Sequence, residues 1–409
     1  MLNSENKKNY FKILFLLYSF YSFPFIFSIL RGGSSTSLIT TNIFSPRNIA
    51  EIFMFFILCF FVFLNLKNLK KILQNPQLKP FIYISFVYLV SSSWSQYKLL
   101  TLFRSSEFII LSLTGLLVYS RIYEYFRALN VNNSCTYQIE TYLFHLVNIN
   151  LIHVFLHKFA FNEVVFGYNF LRDNLLSNLV GGCLILHLFN KSVLTNTKYI
   201  IFLLFVFLFV SFSLAPLVCF LLSFVFIFLA NKDKNIENLF VYFVILISLL
   251  YFFFIEIPFI DQLLAKISFR EIKDIANLTG REKIWDLTLY ELKNYTFGSG
   301  FATDLVLLKP QFILGNIGTV SSSHNIFIES FVAAKWAGLF LVIYAYFLWF
   351  SKSKKYFKSK KEINLIKALT FYAFMCGFAN SGFGGSYVSH PYMLFWIFLI
   401  PIHFQNEKK

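Results

Sequence analysis

Charge is what this chain has least of. Only 14% of its 409 residues are Asp, Glu, Lys or Arg, against roughly 25% in a soluble domain, so it cannot cover a water-facing surface in the usual way. Acids are scarcer still, 20 against 36 basic residues. Cysteines number five (Cys59, Cys135, Cys183, Cys219 and Cys376), and no two lie closer than 36 residues. The absence of any CxxC argues against a disulfide framework and against a zinc ribbon. What the chain does have is apolar bulk: 57% of it is hydrophobic, 57 residues are Phe, and the mean hydropathy is +0.64. A soluble enzyme, a disordered chain and a secreted disulfide scaffold are excluded, which leaves a polytopic membrane protein.

A membrane helix needs about 20 apolar residues to cross roughly 30 Å of hydrocarbon. Apolar runs predict twelve spans, near 11–30, 49–66, 80–93, 106–120, 142–161, 175–190, 199–214, 216–230, 239–257, 325–350, 365–384 and 390–404. The fold class expected is therefore all-α, about twelve transmembrane helices in a single polytopic domain over 1–409. Orientation follows from Lys and Arg. The ends and loops at 1–12, 67–79, 121–140, 191–198, 231–238, 351–367 and 405–409 hold 22 of the 36 basic residues and 7 of the 20 acids. Cationic loops stay in the cytoplasm, so both termini are expected inside. The lysine-rich run 351–361 is expected to anchor to lipid headgroups rather than to bind nucleic acid. The first apolar stretch is long and lacks a small-x-small cleavage site, so it is expected to be a span, not a cleavable signal peptide.

One loop is long. Residues 258–323, between the ninth and tenth spans and on the outer side, carry 7 basic and 7 acidic residues. Loops of this length usually serve function. Pro258 to Ala276 has the spacing of an amphipathic helix lying on the membrane face. A second helix is expected to begin at Thr279-Gly-Arg-Glu282, a capping-box pattern, with a stripe through Trp285, Leu289 and Leu292. Arg281 lies four residues before Trp285, on the same side. It is either aimed inward near a helix N-terminus that favours anions, or a surface arginine paired with Glu282 or Asp286. Phe297-Gly-Ser-Gly-Phe301 predicts a tight turn with close backbone approach. The loop ends at Ser321-Ser-Ser-His324-Asn325. His324 is expected in the first turn of the tenth span, where the positive helix end favours the neutral imidazole able to accept a proton; the alternative is an interfacial histidine satisfied by a serine.

Further polar residues point to the same outer face. Ser91-Ser-Ser-Trp94-Ser95, with Arg104 and Glu107, fills one outer junction, and Arg172 and Asp173 another. Lys335, eleven residues beyond His324, is either functional within the span or snorkels to the interface. His390 lies at an outer junction and could join the site. His153 and His157 form HxxxH without the glutamate of HExxH, so no metal is assigned to them.

Together these residues resemble the O-antigen ligase and polymerase family of bacterial inner-membrane glycosyltransferases. Trp94-Ser95 followed by Arg104 is similar to the family's outer junction after the third span. Gly280-Arg281-x-x-x-Trp285, then Gly298-x-Gly300, is similar to its signature loop, and His324-Asn325 with Gly338 to its His-Asn motif. Twelve spans with one large late periplasmic loop is the layout of the ligase branch. Ser211 departs from the pattern, since no arginine follows it where members often carry Ser-Arg.

The resemblance implies transfer of a glycan from undecaprenyl diphosphate to an acceptor sugar, the lipid A core, on the periplasmic face. It implies His324 as the base and Arg281, then Arg104 and Arg172, on the diphosphate, with Asn325 and Trp285 beside them. No cofactor and no metal is expected, since no DxD-like carboxylate cluster lies on the outer face. The alternatives are a polymerase joining lipid-linked repeats, a protein O-oligosaccharyltransferase, and a lipid-linked oligosaccharide flippase. Two similar halves, common in transporters, are not evident.

Overall fold

The computed structural model describes residues 46–128, 180–182, 184–185, 219–223, 281–303, 307, 325–356 and 360–379. Among them all regular structure is helical. The elements are α1 (Pro46–Leu64), α2 (Leu66–Leu73), α3 (Lys79–Val90), α4 (Lys98–Ala128), α5 (Arg281–Glu291), α6 (Ile326–Tyr356) and α7 (Lys360–Ala379). Short 3-10 turns at Pro76–Leu78, Ser91–Ser93 and Leu292–Asn294 adjoin α3 and extend α5. The stretches Lys98–Leu117 and Ile326–Ser351 are long and apolar enough to cross a membrane, and Phe55–Leu64 and Ile366–Phe378 are shorter apolar helices. The spans expected at 11–30, 142–161, 199–214, 239–257 and 390–404, and the amphipathic helix at 258–276, lie outside the described residues.

The short apolar helix α3 packs against both α6 and α4, while α4 also holds α1 and α2, and α6 holds α7. Contacts beyond the middle of α6 fix the direction of the α6–α7 pair: Tyr346 meets Phe374 with centroids 5.4 Å apart, and four residues on, the Phe350 ring lies 4.9 Å from Lys367 Nζ. That part of α6 therefore runs antiparallel to α7, and Phe327, at the start of α6, also meets Phe374 and Phe378. Gly377 allows them to close: a β-carbon there would lie 2.6 Å from the Ile326 side chain. Helix α7 is buried on nearly all sides from Ile366 to Cys376, the pattern of a helix inside a bundle. Helix α1 instead exposes Phe53, Phe56, Phe60 and Phe63, a face suited to lipid.

Two boundaries differ from the sequence expectation. Helix α4 starts at Lys98, eight residues before the apolar run, so Arg104 and Glu107 sit on the helix rather than in the junction. Helix α6 starts at Ile326, one residue after the start of the expected span, and His324, expected in its first turn, lies outside the described residues.

Helix α6 is not continuous. Ala334 (φ −151°, ψ 32°) and Lys335 (φ 48°, ψ −136°) leave helical geometry in its N-terminal third. Up to the break α6 is buried on nearly all sides, at Asn325, Ile326, Phe327, Glu329, Ser330, Val332, Ala333 and Ala334; beyond it the buried positions narrow to Gly338, Val342, Ala345, Tyr346, Trp349 and Phe350, while Trp336, Ala337, Phe340 and Tyr344 are exposed. The break brings Gly338 against a backbone group eight residues upstream: a β-carbon there would strike the Ser330 carbonyl, whereas eight residues of straight helix span about 12 Å.

Candidate active site

A helix break frees backbone carbonyls, and inside a membrane these need new donors. The freed groups at Val332 and Ala333 find theirs on other segments. The Ser299 N–H donates to Val332 O at 2.9 Å, and the Trp94 indole N–H donates to Ala333 O at 3.3 Å. The Gly-Ser-Gly turn and the serine-rich junction thus converge on the break.

The turn can approach only because it is glycine. Gly298 (φ 103°) and Gly300 (φ 108°) both adopt left-handed backbone. A β-carbon on Gly298 would lie 2.7 Å from Val332 O and 2.8 Å from Ala333 O, and one on Gly300 would lie 2.6 Å from Ser95 Oγ. The close backbone approach expected from the sequence is present, and its targets are now identified as α6 on one side and the junction on the other.

Hydroxyls finish the junction. Ser91 Oγ accepts from Phe301 N at 3.0 Å while donating to Tyr88 O at 2.6 Å. Thr101 donates to Ser95 Oγ at 2.8 Å, and Ser105 lies 2.8 Å from Tyr88 O. Phe301 stacks on Tyr88 with centroids 4.2 Å apart, and the Tyr88 hydroxyl meets Ser330 Oγ at 2.8 Å. Every member of this set is buried, so each satisfied hydroxyl avoids the penalty of an orphaned polar group. At the rim, Tyr295 donates to Gln96 Oε1 at 3.2 Å. Burial, aided by Tyr97 and the Glu291 charge, raises the Tyr295 phenol above its ordinary value.

Helix α5 lies against the N-terminal part of α6. Ile284 and Trp285 are buried with Leu287 and Ile328, and Leu292 with Val332 and Leu307. The packed stripe is Ile284, Trp285, Thr288 and Leu292, while Leu289 is exposed, a rotation from the stripe expected. The C-terminal end of α5 is closed by α6: Lys335 Nζ donates to Leu292 O at 2.8 Å and lies 5.6 Å from the Phe331 ring.

The residues singled out from sequence are distributed around this centre. Arg281 is the first residue of α5; its side chain, His324, Arg172 and His390 lie outside the described residues. Trp285 packs between α5 and α6. Asn325 caps α6, its Oδ1 accepting from Phe327 N at 2.9 Å and Ile328 N at 3.2 Å. Arg104, one turn beyond Thr101 on α4, pairs with Glu107 at 2.6 Å and lies 5.6 Å from the Phe103 ring. Sequence reasoning missed Tyr88, Thr101, Ser330 and the break itself. The only signal for the first three was polarity within apolar helices.

Residues 199–343 match the family model described as O-antigen ligase. No curated protein matches the chain. The matched segment holds Arg281, Trp285, both turn glycines, His324, Asn325 and α6 as far as residue 343, where the geometry above is concentrated, and through it the chain carries a domain of the O-antigen ligase family.

Proposed function

We propose that the protein is a membrane glycosyltransferase of the ligase kind, transferring a glycan from undecaprenyl diphosphate to the lipid A core on the periplasmic face of the bacterial inner membrane. The observation that carries this reading is the convergence of the matched segment's turn, helix α5 and the α6 break at one end of the bundle. A lipid-linked donor needs such a place, polar at the interface and apolar beneath.

The chemistry assigned to the residues follows from the reaction. Breaking the bond to a diphosphate develops negative charge on the leaving oxygen, which guanidinium groups stabilise and hold in bidentate fashion. Arg281 takes that role first, at a helix N-terminus that adds its own positive end, with Arg104 and Arg172 behind it. The acceptor hydroxyl gives its proton to His324. A single displacement of this kind inverts the anomeric centre. Capping by Asn325 supports the reading indirectly, since it fixes the backbone next to His324. No metal or cofactor enters the proposed steps.

The same chemistry with a second lipid-linked glycan as acceptor is polymerisation. A clean gene deletion, with lipopolysaccharide run on a gel, tests the reading. Loss of the whole ladder identifies a ligase. A single-repeat band identifies a polymerase and overturns the acceptor assigned here. An unchanged ladder overturns both.

A further inference from the structure

Lys335 stands in a conformation that suits glycine. Its φ of 48° with ψ of −136° is a sparsely populated region for a residue with a β-carbon, at a cost of about 1–3 kcal/mol. Such strain persists only where the surroundings over-determine it. Here they do. The same backbone break that strains Lys335 turns its side chain out of α6 toward α5, where the ammonium donates to Leu292 O at the end of that helix. A cation at a helix C-terminus is favoured by the macrodipole as well as by the hydrogen bond.

One end of α5 is thereby tied to the break, and the other end is Arg281. Helix α5 is 11 residues long, about 16 Å at 1.5 Å per residue, and packs through Ile284, Trp285 and Leu292 onto α6 residues Ile328 and Val332. The N-terminal part of α6 starts at the Asn325 cap, next to His324 in sequence. Lys335 therefore closes a frame whose two ends carry the residues proposed to bind the diphosphate and to take the proton. A glycine would fit the backbone better, yet only a long cationic side chain makes the tie.

We infer that Lys335 is a positioning residue for glycan transfer, holding the Arg281 helix against the break in α6 without touching substrate. The inference rests on the functional reading above. Misplacing a catalytic group by an ångström costs on the order of 10²-fold in rate, and that loss falls on kcat when the group acts in the transition state.

The test uses purified full-length protein, a synthetic undecaprenyl-diphosphate-linked oligosaccharide as donor and lipid A core as acceptor. Lys335→Gly keeps the backbone conformation and removes the tie; Lys335→Arg keeps a donor. We expect Lys335→Gly to lower kcat per folded molecule by about 10²-fold, with the KM for donor moved less than about threefold. Amide exchange over 281–294 should quicken by at least about tenfold, with that of α4 unchanged. Lys335→Arg should recover most of the rate. Unchanged kcat or unchanged exchange in Lys335→Gly overturns the inference. A raised KM with kcat intact assigns Lys335 to substrate binding instead and overturns it too. Failure of the wild-type protein to transfer overturns the functional reading and the inference with it, whereas transfer that Lys335→Gly leaves untouched overturns the inference alone.

Discussion

Gly298 lies so close to the Val332 carbonyl that a β-carbon on it would sit 2.7 Å from the oxygen. The neighbour is backbone, not a side chain that can swing away. The Ser299 N–H donates to that same carbonyl, so a retreat of the turn would forfeit the bond.

Gly298→Ala is therefore expected to destabilise the protein by at least about 1–3 kcal/mol from the left-handed backbone alone, with the clash in addition. Thermal unfolding in detergent measures it. A melting temperature equal to that of wild type would show that the turn does not seat on the break.

Phe301 should matter as much without touching any reacting group. It is buried and stacked on Tyr88, and removing such a ring costs about 3–5 kcal/mol. Phe301→Ala is expected to lower the melting temperature sharply, whereas Tyr88→Phe, which loses only the hydroxyl contact to Ser330, should cost about 0.5–1.5 kcal/mol. The reverse ranking would mean that the hydroxyl, not the stacking, holds the turn.

The proposed chemistry makes a separate claim. His324→Ala should insert and express normally yet lose about 10²–10⁴-fold in transfer rate, the usual contribution of a general base. Arg281→Lys should fail substantially as well, because lysine keeps the charge but not the planar fork. His153→Ala is the control, expected near normal. Normal transfer by His324→Ala at matched protein levels would falsify the base assignment.

Topology can be checked without any assay of sugar. A periplasmic reporter fused after residue 300 should be active, and one fused after residue 357 silent, because lysines crowd 352–361 while 258–323 balances 7 basic with 7 acidic residues. The opposite pattern would turn the candidate site toward the cytoplasm.

Sequence periodicity reached some of this architecture and missed the rest for physical reasons. The Gly-Ser-Gly turn was legible because paired glycines have few other uses. Its partners were not, since Ser95, Thr101 and Val332 are ordinary residues far away in sequence. Lys98, Thr101 and Arg104 read as loop because they are polar; they are helical, and Thr101 is polar where the turn packs on it at Gly300. The break in α6 left no trace, for Ala333-Ala334-Lys335-Trp336 contains no proline or glycine. Asn325, placed at the site by the resemblance, caps α6 through its side-chain oxygen, a role that asparagine ahead of an apolar run also announces. Helix α5 was legible as a helix, but its inward face was set by what Ile328 and Val332 offered it.

The break divides α6 into two stretches with different company. Before it the helix is covered nearly all round, and its neighbours include the turn, α5 and Tyr88. After it one side is open, from Trp336 through Phe340 and Tyr344 to Phe347, while Tyr346 and Trp349 stay buried and Tyr346 packs on Phe374 of α7. A substitution before the break is therefore felt by the turn and the junction, and one after it by α7, so a single helix behaves toward mutation as two separate elements.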